Sequence, residues 1–336
     1  MVNIFFATTT LQLLNCIDEA KNYSASENIL IFGKKHPNLD LKLIEEVKDF
    51  GTKYLFDYSM FDPFKRFLSL RRMMGSVKEI AQTENLKTVY FGNIYEMQQN
   101  YFFQHLSGKE RIVLVDDGTL NLNFPDRIKN GYFIKGQKNL QYYKNLILYR
   151  YKGKDVNRPE LFSIYKLDYP AELLRKNTYQ NLFKDKKHNK DDNKVVLIGA
   201  NWASYISSKQ YIEILKKIWK MNQRKDIIYC PHPAENLNLL EESFNAWGFK
   251  TKKNSLGIEW YLINEADFIP SKIYSFSSSA MIVLDQFYKG KSDLFILPPL
   301  LKLGFNNLIV SYFKENRIGN FMDWNDIGID HLEIVD

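Results

Sequence analysis

Strand-sized apolar runs alternate with helix-length stretches through the first third of this chain, and that alternation limits its fold more than any other feature. Val2–Ala7, Ile29–Phe32, Tyr54–Phe56, Thr88–Phe91 and Ile112–Val115 predict strands. Leu11–Tyr23, Leu41–Asp49, Asp62–Asn85 and Tyr95–Leu106 predict the helices between them. Repeated βα units call for a parallel, doubly wound sheet with right-handed crossovers. From Asn121 to Tyr169 the pattern dissolves into Tyr-, Lys- and Asn-rich sequence, read as helices and loops.

A second α/β unit opens with Val195–Gly199. It continues through a helix over Lys209–Trp219, a strand at Ile227–Tyr229, and helices near Leu237–Trp247 and Ile258–Ile263. A strand at Lys272–Tyr274, a helix over Ala280–Phe287 and a strand at Leu294–Ile296 complete it. The run from Lys184 to Lys194 is charged and free of apolar residues, the signature of a linker. The expected organisation is therefore an amino-terminal α/β domain over 1–183, a linker over 184–194 and a carboxyl-terminal α/β domain over 195–336. The aromatic tail after Asn306 could cross back to the first domain.

A length of 336 residues suits two domains, each able to bury its own core. No apolar run approaches the ~20 residues of a membrane span, and Met1–Thr8 lacks a signal peptide's charged head and cleavage site. Cys16 and Cys230, the only cysteines, sit in apolar settings, which fits a reducing, cytoplasmic compartment. A net charge of +7 permits an anionic substrate, an acidic glycan or a phospholipid surface as partner. The basic stretch Phe64–Met74 interleaves charge and apolar residues at helical spacing. Such a helix could rest on the inner face of a membrane, although an ordinary amphipathic surface helix is the simpler reading. No motif for reading RNA or DNA is present, so nucleic acid is not expected as a partner.

Chemistry concentrates where strands end. Ile112–Val115 stops at Asp116, Asp117 and Gly118, at the strand edge where open α/β sheets place their ligands. A carboxylate there is rigidly placed to take a hydroxyl proton, and its neighbour can raise its proton affinity. Gly118 permits a sharp turn and close approach of substrate; a simple Asp-Gly turn is the plain alternative. Adjacent strand residues point to opposite faces, which makes joint metal chelation by the pair awkward.

The strand Ile227–Tyr229 likewise leads to His232, held between Pro231 and Pro233. Its imidazole could stabilise a departing phosphate, whereas His36-Pro37 is the same dipeptide in a polar turn and receives no role. Ser277, Ser278 and Ser279 run into a helix, where hydroxyls and backbone N–H groups suit a phosphate. Plain N-capping explains one of them. Glu259 could accept bonds from a ribose diol. Gly199 and Asn201 follow the first strand of the second unit, where a nucleotide would lie. Thr9 and Thr10 follow the chain's first strand and could cap its helix or line the acceptor side. Gln12, Asn93 and Gly118 are placed on that acceptor side with them.

Taken together, Asp116-Asp117-Gly118, His232-Pro233 and Ser277-Ser278-Ser279 resemble, in their order, the motifs of certain bacterial sialyltransferases. These are the lipooligosaccharide sialyltransferases, the capsular polysialyltransferases and the multifunctional marine and Pasteurella-type enzymes. Glu259 falls where that family has a nucleotide-contacting glutamate, and Thr9–Asn15 looks like the start of the lipooligosaccharide and capsule members. The resemblance implies a GT-B-like fold, two Rossmann-type domains facing a central cleft. It also implies an inverting transferase using CMP-sialic acid as co-substrate, with no metal or other cofactor. By that carry-over Asp116, in preference to Asp117, is the base and His232 assists the departing CMP. Ser278 with Ser277 or Ser279 holds the phosphate, with Pro233 alongside, and Glu259 holds the ribose. The acceptor would be an oligosaccharide or polysaccharide of the bacterial surface, and a homodimer is compatible. Two alternatives stay open: another CMP-nonulosonate or nucleotide-hexose donor on the same fold, and a non-catalytic nucleotide-binding protein of capsule assembly.

Overall fold

The computed structural model describes residues 1–35, 39–82, 85–94, 96–129, 148–149, 151–152, 154, 158–184, 186, 188–204, 206–232, 235–252, 256–276, 278–298 and 305–329. The chain divides into two compact units, Met1–Lys184 and Asp185–Asp336.

In the first unit the strands are β1 (Val2–Ala7), β2 (Asn28–Lys34), β3 (Thr52–Asp57), β4 (Leu86–Phe91), β5 (Arg111–Val115), β6 (Glu160–Ser163) and β7 (Leu174–Lys176). Its helices are α1 (Thr10–Ala20), α2 (Leu41–Glu45), α3 (Pro63–Ala81), α4 (Met97–Gln104), α5 (Phe124–Lys129) and α6 (Gln180–Phe183). The strands form one sheet in the order β3-β2-β1-β4-β5-β6-β7, parallel throughout. Order reverses between β1 and β4, so the connections leaving those two strands diverge and open a crevice at their carboxyl ends. Both faces of β1 are buried, as a sheet covered on two sides requires. Phe102 of α4 meets Phe6 and Phe91 edge-on, locking that helix over the sheet.

The second unit contains β8 (Asn189–Ile198), β9 (Asp226–Cys230), β10 (Lys250–Thr251), β11 (Phe268–Ser275), β12 (Asp293–Ile296) and β13 (Asn320–Phe321). With them are α7 (Ser208–Met221), α8 (Glu241–Trp247), α9 (Gly257–Trp260), α10 (Ala280–Tyr288) and α11 (Phe305–Asn316). The sheet runs β10-β9-β8-β11-β12-β13, again all parallel, and its order reverses between β8 and β11. A reciprocal capping box between Ser207 and Gln210 starts α7, whose buried face (Tyr211, Ile214, Leu215, Ile218) packs on the sheet.

Three expectations change. The charged run 184–194 is not all linker, because from Asn189 it is the exposed first half of β8, paired with Phe268, Ile269 and Pro270 of β11. Backbone pairing needs no apolar side chain where a strand projects beyond the core. Within 121–169, Glu160–Ser163 is a strand rather than loop or helix. The described part of the tail, to Ile329, joins the second sheet, where β13 pairs with β12.

Candidate functional site

In the first unit, Thr9, Asn93 and Asp117 come together at the β1/β4 reversal. Asp117 follows β5 with half-buried side chain, and Gly118 turns the chain away with φ +62°. The Asn93 amide donates to Asp117 Oδ2 at 2.9 Å, and the Thr9 hydroxyl donates to Oδ1 at 3.3 Å. Thr9 also caps α1 by accepting from the backbone N–H of Gln12. The amide of Asn93 is itself fixed, since its backbone N–H donates to Gln99 Oε1. Thr10, on the first turn of α1, lies half-buried beside this cluster in sequence and has no bond to Asp117.

Asp116 points the other way, as alternation at a strand end requires. It is 1% exposed and accepts from Ser163 Oγ at 2.5 Å, the Ile164 backbone N–H at 2.7 Å and Asn121 Nδ2 at 3.1 Å. Burial pushes its carboxyl up to about 7 against those three bonds, and the neighbouring Asp117 charge adds to the rise. Its carboxylate ties β5 to β6, so of the two acids Asp117, and not Asp116 that the resemblance favours as base, is the accessible one. Gln12 is also no acceptor-side residue: it is fully buried and accepts from the Thr8 backbone N–H at 2.8 Å. A Cβ on Gly92 would lie 2.0 Å from the Gln12 side chain, so Gln12 fills the space beneath the β4 turn.

The second unit gathers three loops at the carboxyl edge of its sheet: Gly199 after β8, His232 after β9, and the serine run after β11. Gly199 donates its N–H to the Cys230 carbonyl at 2.8 Å, joining the first two loops. A Cβ there would meet Glu235 Oε2 at 2.2 Å and the Tyr229 hydroxyl at 2.6 Å. A side chain there would have to displace the Glu235–Tyr229 pair. Asn201, two residues on, is half-buried, and Trp202 beyond it stacks on Tyr211 in the core.

Glu235 is the residue that the sequence did not announce. Its carboxylate accepts from the Tyr229 hydroxyl and from the His232 backbone N–H, and its own N–H donates back to the His232 carbonyl at 2.9 Å. Tyr229 pairs in turn with Tyr211 at 2.9 Å in the core. A chain of polar groups running from the buried Tyr211 and Tyr229 to the half-buried Glu235 therefore anchors the exposed His232. Burial drives the Glu235 carboxyl up to about 7, opposed by the bond from Tyr229. The available signal was an acid three residues after His232, at the span of a turn.

Ser278 Oγ accepts from the Ala280 N–H at 3.3 Å, while the Ser278 N–H donates to the buried Ser275 Oγ at 3.2 Å. Ser279 precedes α10 without a side-chain capping bond. Ser277 and Pro233 lie outside the described residues. Glu259 is buried in α9, which packs on α10 and continues into a π-helical turn over Tyr261–Glu265. Burial raises its carboxyl, and its own backbone N–H pulls the other way. Such turns recur at ligand sites. Among the described residues, no group of three or more His, Cys, Asp or Glu side chains is arranged to hold a metal ion.

A model of glycosyltransferase family 52 matches residues 26–287. No curated protein sequence matches the chain. Among solved structures, the chain is similar to the 2,6-sialyltransferase of Photobacterium sp. JT-ISH-224, determined with CMP and lactose. Identity is 12% with a TM-score of 0.57, covering 96% of this chain and 78% of that one. The GT-B domain of the Photobacterium damselae sialyltransferase is similar at 13% identity and TM-score 0.54, covering 96% of this chain and all (100%) of that one. A UDP-N-acetylglucosamine 2-epimerase is similar at 10% identity and TM-score 0.53, covering 97% and 84%. At these identities the structural likeness shows a shared GT-B fold, which hosts both transferases and an epimerase.

Proposed function

The chain belongs to glycosyltransferase family 52, and from that premise we propose that it transfers sialic acid from CMP-sialic acid to a hydroxyl of a bacterial surface glycan, lipooligosaccharide or capsule, with inversion and without a metal. The observation that carries this reading is Asp117. A half-buried carboxylate, braced by Asn93 and Thr9 at the first sheet's reversal, is a positioned base.

In the proposed step the acceptor oxygen bonds to the anomeric carbon as its proton passes to Asp117. The bond from that carbon to the CMP phosphate breaks, and its electron pair leaves on the phosphate oxygen. His232 donates a proton or a hydrogen bond to that oxygen. Hydroxyls of Ser278 and Ser279 and the amino end of α10 offset the phosphate charge. One phosphate carries less charge than the diphosphate of a UDP-sugar, so an imidazole and hydroxyls can take the place of a metal ion. Glu259 is assigned to the ribose diol.

The test is CMP release measured with CMP-sialic acid, other CMP-nonulosonates and UDP-sugars, each with and without a glycan acceptor and with a chelator present. Acceptor-dependent release from CMP-sialic acid that withstands chelation is the expected result. Turnover of UDP-sugars alone would overturn the donor assignment, and loss of turnover on chelation would overturn metal independence.

A further inference from the structure

Helix α3 turns one apolar face inward. Leu70, Met73, Met74, Val77, Ile80 and Ala81 are buried against the first unit's core, spaced as one side of a helix. The opposite side carries charge, but its amino-terminal half also exposes large apolar side chains. Phe64, Leu68, Arg71, Arg72, Gly75 and Glu79 fall on it at i, i+4, i+7, i+8, i+11 and i+15, and all are exposed, with the acid at the far carboxyl end. Phe64 is 68% and Leu68 49% exposed, and Phe61, just before the helix, is 90% exposed. Aromatic rings left in water at that level mark an interaction surface.

The charges say which kind. Among the described residues Lys65, Arg71 and Arg72 have no carboxylate partner. The one acid at this end, Asp62, is committed to capping, accepting from the backbone N–H groups of Phe64 and Lys65. The amino-terminal half of this surface is therefore apolar, with Lys65, Arg71 and Arg72 as cations beside it. A second copy of the chain would set this patch against itself, like charge on like, in a two-fold contact. An anionic lipid surface satisfies both halves: acyl chains accept Phe61, Phe64 and Leu68, and headgroup phosphates accept the cations. We propose that α3 is a membrane-docking helix that lies flat on anionic phospholipid. Among the described residues no helix is long and apolar enough to cross the bilayer.

This inference stands apart from the donor and acceptor assignment, because its test needs neither. The full chain is sedimented with phosphatidylcholine vesicles lacking or containing about one-third phosphatidylglycerol, at low and high salt. Binding is expected only to the anionic vesicles and should weaken with salt. Each cation near an anionic surface contributes about fivefold, so Arg71→Glu with Arg72→Glu should lower the partition at least about 25-fold. Phe61→Ser with Phe64→Ser should lower it by about tenfold or more at constant charge. Both pairs are exposed, and unchanged thermal unfolding checks that each variant is folded. Equal binding of wild type and variants overturns the proposal, as does absence of vesicle binding. Self-association that Phe61→Ser with Phe64→Ser abolishes, without lipid binding, would assign the face to a second copy instead.

Discussion

Asn93 and Asp117, from neighbouring strand ends, are joined by a 2.9 Å hydrogen bond, while Asp116, one residue earlier, is sealed beneath them by Ser163, Ile164 and Asn121. Two adjacent carboxylates thus occupy opposite sides of one strand end, one facing the crevice and one holding the sheet together.

The two acids should fail differently. Asp117→Asn keeps the shape and one of its two bonds at a half-buried site, so stability should fall less than in Asp116→Asn while kcat falls about 10²–10⁴-fold, the usual contribution of a positioned base. Asp116→Asn sets an amide nitrogen against donors that need an acceptor, and should cost roughly 1–3 kcal/mol of stability. Urea unfolding beside steady-state rates separates the cases. If Asp116→Asn is stable and inactive while Asp117→Asn works, the base is Asp116 after all.

Asn93 and Thr9 position rather than react. Asn93→Ala removes one of two bonds that aim Asp117, so kcat should fall about tenfold with the donor KM little changed, since misalignment affects chemistry more than binding. Asn93→Asp would place a second carboxylate at 2.9 Å and should be worse than alanine. A KM effect larger than the kcat effect would instead make Asn93 a substrate ligand.

The sequence reading located the strand ends and erred on what lies behind them. Motif and edge coincide for Asp117, His232 and Ser278 because an apolar run that stops at polar residues marks a buried parallel strand. Gln12 misled because an uncharged polar residue on α1 looks the same whether it faces substrate or, as here, fills space under Gly92. Asn189–Lys194 was illegible as strand because hydrogen-bond pairing at a projecting end leaves no apolar signal. Ser163 and Asn121 could not be linked to Asp116, since sequence spacing carries no information on contacts 47 and 5 residues apart.

Donor contacts should show in KM. Ser279→Ala removes a hydroxyl not used for capping, and a bond to a charged phosphate is worth about 1.5–3 kcal/mol, so the donor KM should rise about 10–150-fold. Product inhibition by CMP should weaken in parallel, a readout independent of acceptor. An unchanged inhibition constant would remove Ser279 from the phosphate site.

Glu235 sets a pH dependence whose sign can be worked out. Its carboxyl ionises at about 7 in the folded chain, above the ordinary value of 4.5. The folded state therefore holds a proton that the unfolded state has already lost between those values. Stability from this group is full below about pH 4.5 and is lost as pH rises through about 7, with a slope of at most about 1.4 kcal/mol per pH unit. In Glu235→Gln that contribution is absent, so the difference in urea midpoint between about pH 5 and about pH 8 should shrink relative to wild type. The glutamine offers a single acceptor oxygen to the Tyr229 hydroxyl and the His232 N–H, so the loop carrying His232 should loosen and kcat/KM should fall. If the variant keeps the full pH slope and full turnover, Glu235 neither holds a proton at neutral pH nor anchors His232.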